Sequence, residues 1–114
     1  MKDGKIFVGS PIFFFFQLGT DNLTEKAQII NIKEVAGCIK KYGLNARIVG
    51  AADSQTGTAY GNERLSAKRA DYIAKLMREQ GVPEDKIQTQ YRGGISSYEP
   101  QTGNRNTCVM LYFK

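Results

Sequence analysis

An arginine stands where an apolar residue belongs. From Asn62 to Met77 the chain reads NERLSAKRADYIAKLM, with Leu65, Ala70, Ile73, Leu76 and Met77 spaced as one buried stripe of a helix. Arg69 lies four residues after Leu65 and four before Ile73, so it shares that stripe. Its side chain should lean toward the helix N-terminus. There it meets the turn that follows a strand ending at Gly50, and that turn carries Asp53. A guanidinium withdrawn from water without a partner costs several kcal/mol. Asp53 and Arg69 therefore form either a structural ion pair tying turn to helix or one polar site.

The segments around this helix alternate in period. Ile12–Leu18 contains four consecutive phenylalanines, a run that suits a strand buried on both faces. A helix is expected from about Leu23 to Tyr42, capped by Asp21 or Asn22, with Ile29, Ile32, Val35, Ala36 and Ile39 as its buried stripe. Gly43 ends it. Strands follow at Ala46–Gly50, Lys86–Tyr91 and Thr107–Phe113, with a polar turn at Ala51–Gly61 and a loop at Arg92–Gly103. Gly81-Val82-Pro83 stops the arginine-bearing helix. The order β-α-β-α-β-β predicts an α/β (α+β) sandwich: one mixed four-stranded sheet with two main helices packed on one face. Residues 1–10 are expected to form an N-terminal extension or linker, and residues 11–114 the domain.

Composition narrows the chemistry. A chain of 114 residues with 41% hydrophobic content can bury one core without staples. A formal charge of +5 permits an anionic partner without demanding one. The chain has no histidine, which excludes His-ligated metals and His-based acid/base catalysis. There is no paired-carboxylate constellation, metal spacing or phosphate loop either, so neither an enzyme nor a bound cofactor or metal is expected. Met1–Ser10 is too short and polar for a secretory signal, and Pro11–Leu18 is too short to span a bilayer. Cys38 and Cys108 read as two buried free thiols on opposite sides of the sheet, with Val109, Leu111 and Phe113 turned toward the helices.

Gly50, Asp53, Gly57, Asn62, Leu65, Ser66, Arg69 and Ala70 together resemble the signature of OmpA-like peptidoglycan-binding domains, a strand ending in Gly, then Asp, a short turn and Asn-x-x-Leu-Ser-x-x-Arg-Ala. Gly81-Val82-Pro83 is similar to the family's next turn, and Asn104-Arg105 to the start of its closing Asn-Arg-Arg motif. The chain departs from the pattern at Gly19, Ala51, Ala52, Gly94 and Asn106.

The resemblance implies a non-catalytic domain that binds peptidoglycan through the meso-diaminopimelate of the stem peptide. Such a domain would anchor an envelope protein at the periplasmic face of the outer membrane, without inserting in the membrane and without binding nucleic acid. It implies ligand contacts at Asp53 and Arg69, with Ala52, Asn62 and Ser66 around them. Diaminopimelate ends in an ammonium beside a carboxylate. Asp53 would accept the ammonium, and the Arg69 fork would grip the carboxylate. Backbone donors at the helix start near Thr58–Tyr60 would assist. On this reading Arg69→Leu should cost little stability, whereas Asp53→Ala should strand the guanidinium.

Two rivals remain at this level. Asp53 and Arg69 as a structural pair would suit a protein-interaction module. Lys5-Ile6-Phe7-Val8-Gly9 also resembles the first motif of RNA-recognition domains, but the second aromatic motif is missing and the element order differs.

Overall fold

The periodic segments fold into four strands and two helices in the expected order. They are β1 (Ile6–Phe15), α1 (Gln28–Tyr42), β2 (Asn45–Asp53), α2 (Ala59–Glu79), β3 (Ile87–Ile95) and β4 (Asn106–Phe113). This computed structural model describes residues 4–55, 57–96 and 101–113. The sheet runs β1-β4-β2-β3, with β4 antiparallel to both neighbours and β2 parallel to β3. The two parallel relationships, β1 with β2 and β2 with β3, are each bridged by one helix, so both helices cover the same face of a mixed sheet.

That single covered face holds the core. Phe14 and Phe16 from the first strand region, Ile32, Val35, Ala36 and Ile39 of α1, Ala46 and Ile48 of β2, Ile73 and Met77 of α2 and Val109 of β4 form one cluster. The expected α1 stripe is therefore in place, with Ile29 partly buried at its margin. Burying a set of aliphatic and aromatic side chains of this size supplies the main stabilising term, at roughly 1.5–3 kcal/mol per large side chain.

The phenylalanine run is buried on one face only. Phe14 is 0% and Phe16 1% exposed, whereas Phe15 is 38% exposed. Phe13 and Phe15 stack on each other, ring centroids 6.2 Å apart, on the side of the sheet that carries no helix. The expectation of burial on both faces fails because both crossovers lie on the same side. The strand also begins earlier than expected, since Ile6, Phe7 and Val8 pair with Phe113, Tyr112 and Leu111.

Helix α1 starts five residues later than the pattern suggested. Leu23 pairs with Phe16 in an isolated bridge, which holds it extended and prevents a cap at Asp21 or Asn22. The helix instead starts after Ala27, with no side-chain cap, through tight turns in which the amides of Gln28 and Ile29 donate to Glu25 and Lys26. Strand β2 runs three residues past Gly50, so Asp53 is the last residue of a strand and not part of a turn. Likewise β3 continues through Ile95, shortening the expected loop; residues 97–100 of that loop lie outside the described residues.

Neither thiol is buried. Cys38 is exposed on α1 and Cys108 is half-buried on the helix-free face of β4; both are free. Val109 is fully enclosed as expected, but Phe113, at the end of its strand, is 41% exposed.

Candidate functional site

The candidate site lies where the end of β2 meets the start of α2. β2 carries a bulge between Gly50 and Ala52, so Ala51 has no register partner on either side. Its carbonyl is thereby released from the ladder. Thr58 caps α2, its hydroxyl accepting from the Gly61 amide at 3.0 Å. A cleft of about 560 Å³ opens here, lined by Asp53 at the end of β2, by Gly57, and by the first turns of α2.

Arg69 reaches this region through the core. It is 0% exposed. Nη1 donates to the Ala51 carbonyl at 2.9 Å, Nε to Thr20 O at 2.9 Å and Nη2 to Gln17 O at 3.1 Å. Its guanidinium carbon also lies 5.3 Å from the centre of the Phe16 ring. The arginine thus ties the β1–α1 turn to the bulge of β2 by donating to three carbonyls of irregular backbone. Burial, and after it the nearby Arg105 guanidinium, pulls the Arg69 pKa down to about 10, with Asp21 and Asp53 acting in the opposite sense.

Asp53 is 2% exposed and does not pair directly with Arg69. Its Oδ1 accepts from the Gln55 amide at 3.1 Å, and its Oδ2 from Arg105 Nη2 at 3.4 Å. Of the two alternatives for Asp53 and Arg69, the direct ion pair is not formed: Asp53 pairs with Arg105, and Arg69 acts on Asp53 only through space. Three backbone carbonyls, from the β1–α1 turn and the β2 bulge, take the buried guanidinium instead.

Of the expected site residues, Asp53, Asn62 and Arg69 line the cleft together. Asn62 Nδ2 donates to the Asp53 carbonyl at 3.3 Å, fixing the strand end against the helix. The Ala52 and Ser66 side chains do not line it. Ala52 is 0% exposed within β2. Ser66 Oγ donates to Glu63 O at 2.8 Å and accepts from the Gly93 amide at 3.0 Å, which joins α2 to β3.

Arg105 also lines the cleft; the sequence offers it only as part of the Asn104-Arg105 motif, not as a site residue. Tyr60 forms part of the wall, and Arg64 and Lys68 flank it from α2. Among the described residues the lining holds four cations, Arg64, Lys68, Arg69 and Arg105, against the one carboxylate of Asp53. Such a site attracts an anionic group while retaining one acceptor for a cation.

A mixed sheet under two helices, with a polar cleft at the junction of β2 and α2, defines an α+β domain of the OmpA-like kind. The chain belongs to the OmpA family, whose family model matches residues 15–107. It is similar to outer membrane protein 40 of Porphyromonas gingivalis, 33% identical over 92 residues that cover 80% of this chain and 24% of that protein. It shares its fold with the OmpA-like domain of FopA1 from Francisella tularensis, with a TM-score of 0.77 and 20% identity, covering 95% of this chain and 79% of that one. The same holds for the peptidoglycan-associated lipoprotein from Burkholderia pseudomallei, with a TM-score of 0.75, 17% identity and 89% of each chain covered. The chain spans about a quarter of the length of the curated relatives it matches. Among the described residues no helix is long and apolar enough to cross a membrane.

Proposed function

We propose that this domain binds peptidoglycan without reacting with it, holding the meso-diaminopimelate of the stem peptide in the cleft. The observation that carries this reading is the placement of one buried carboxylate, Asp53, beside the Arg69 and Arg105 cations in a single concave site. A ligand bearing an ammonium next to a carboxylate complements that arrangement at two points. Asp53 receives the ammonium. Arg69 spends three of its five N–H groups on carbonyls, which leaves two for the ligand's carboxylate.

Family membership supports the same reading, as does the shared fold with a lipoprotein named for its association with peptidoglycan. Asn62, Ala52 and Ser66 contribute by holding the strand end and helix in register. On this reading the domain needs no cofactor and binds no nucleic acid. It is part of a larger exported envelope protein and faces the periplasm at the outer membrane. Residues 11–114 make up the domain, and Ile6–Ser10 lengthen its edge strand.

Titration with a diaminopimelate-containing muropeptide tests the proposal. The amides of Ala52, Asp53, Asn62 and Arg69 should shift, and Asp53→Asn should weaken binding by roughly 2–5 kcal/mol. Retention on RNA but not on insoluble peptidoglycan would replace this function with the nucleic-acid alternative.

A further inference from the structure

Two guanidinium groups share the cleft in unlike surroundings. Arg69 has all three nitrogens bonded to backbone carbonyls at 2.9–3.1 Å. Among the described residues Arg105 makes one long contact, Nη2 to Asp53 Oδ2 at 3.4 Å, and its enclosed Nε meets no acceptor. A buried N–H without an acceptor is costly and rare. The Arg105 backbone is nevertheless fixed, since its carbonyl accepts from the Phe16 amide at 2.8 Å. The result is a cation tethered at its root and loosely held at its head, beside a cleft that it lines.

We propose that Arg105 reads the ligand's carboxylate: it neutralises Asp53 until a zwitterion enters, then yields Asp53 to the ammonium and turns its own fork to the carboxylate. This assignment rests on the reading that the cleft holds the zwitterionic end of a stem peptide. In the exchange one ion pair becomes two, and the Nε–H gains the acceptor it lacks. An amine without a neighbouring carboxylate must take Asp53 from Arg105 and offers nothing in return, so the guanidinium is left enclosed and unpaired. Arg105 therefore selects a zwitterionic side chain over a simple ammonium such as that of lysine. A carboxylate placed between Arg69 and Arg105 also relieves the repulsion between them, which next to burial is the main influence lowering the Arg69 pKa.

The test uses the intact chain and two tripeptides, L-Ala-γ-D-Glu-meso-diaminopimelate and L-Ala-γ-D-Glu-L-Lys, titrated by calorimetry at low salt. The unsubstituted protein should prefer the first by about tenfold or more, the worth of one hydrogen-bonded charge contact. Arg105→Gln should abolish the preference, weakening the diaminopimelate peptide while leaving the lysine peptide as tight or tighter, because Asp53 is released. A parallel loss for both peptides, or a preference that survives the substitution, overturns the assignment, as does equal binding of both by the unsubstituted protein. Binding of neither peptide by that protein overturns the functional reading itself. A second readout needs no variant. The Arg105 Nε–H resonance should move with the diaminopimelate peptide and stay in place with the lysine peptide; an identical response to both sinks the proposal.

Discussion

Gly50 of β2 lies directly beneath Ser66 of α2. A methyl group on Gly50 would overlap the Ser66 carbonyl oxygen, and it would come within 2.9 Å of that carbonyl's carbon and 3.0 Å of the Ala70 nitrogen. All three neighbours are helix backbone, so none can swing aside as a side chain would. Gly50→Ala should therefore push α2 off the sheet and cost roughly 3 kcal/mol or more, the upper range for overpacking. Urea denaturation measures this directly, and a midpoint within error of the parent would show that the helix can lift at no cost.

Arg69→Leu should be destabilising, contrary to what the helix pattern alone suggests. Leucine suits the apolar stripe but takes the guanidinium from the carbonyls of Gln17, Thr20 and Ala51; Gln17 O keeps the Thr20 amide and hydroxyl, both at 3.2 Å. With one of them buried and two partly buried, the expected loss is about 2–4 kcal/mol. Arg69→Lys should recover little, because one ammonium cannot span three acceptors set in a fork. Chemical unfolding of both variants checks this, and a neutral Arg69→Leu would mean that water replaces the guanidinium at all three oxygens.

Much of this architecture is legible along the chain, and the exceptions share a cause. The buried stripes of α1 and α2 follow from their period, as does the order of elements. The pattern starts α1 too early because Leu23 is claimed by Phe16, a pairing between segments that local capping rules do not register. The burial of Arg69 was visible in its position, but its partners were not. Two of them are backbone atoms of a turn 49 and 52 positions away. Arg105 reaches Asp53 across 52 residues, and the motif that contained it carried no sign of that proximity.

The four consecutive phenylalanines, 13–16, should separate into two classes. Phe14 is fully enclosed and Phe15 is 38% exposed. Phe14→Ala should cost about 3–5 kcal/mol, the usual range for truncating a core aromatic. Phe15→Ala should cost about 1 kcal/mol or less, since its losses are confined to the stack with Phe13 and partial burial. Thermal melts of the pair decide the matter, and equal destabilisation would mean that the helix-free face is covered after all.

The two cysteines should differ in rate while sharing a fate. Cys38 is exposed, so a maleimide should label it quickly in the folded protein. Cys108 is half-buried, and burial pushes its thiol above the ordinary value of 9.0 against a weaker opposing pull from Arg92. Its thiolate is therefore scarce near neutral pH, and its labelling should lag and accelerate as the pH rises past 9.0. Under denaturing, non-reducing conditions both should react. Mass spectrometry resolves the two sites, and a single label on the denatured chain would contradict the free thiols.

The strand register also decides how this domain carries load. Ile6 pairs with Phe113 at one end of the sheet, whereas Phe15, Asn106 and the cleft at the end of β2 lie at the other. A pull applied between Ile6 and a polymer gripped in the cleft runs along the strand axes, so the rungs between β1 and β4 are strained together in shear. A pull between Ile6 and Phe113 instead unzips those rungs one at a time from their shared end. The molecule should therefore yield at a higher force in the first geometry than in the second, and single-molecule pulling with handles at residues 6 and 57 against 6 and 113 would show the difference. On the proposed reading, a load that enters at Ile6 and leaves through a polymer held in the cleft draws on the sheet in its stronger direction.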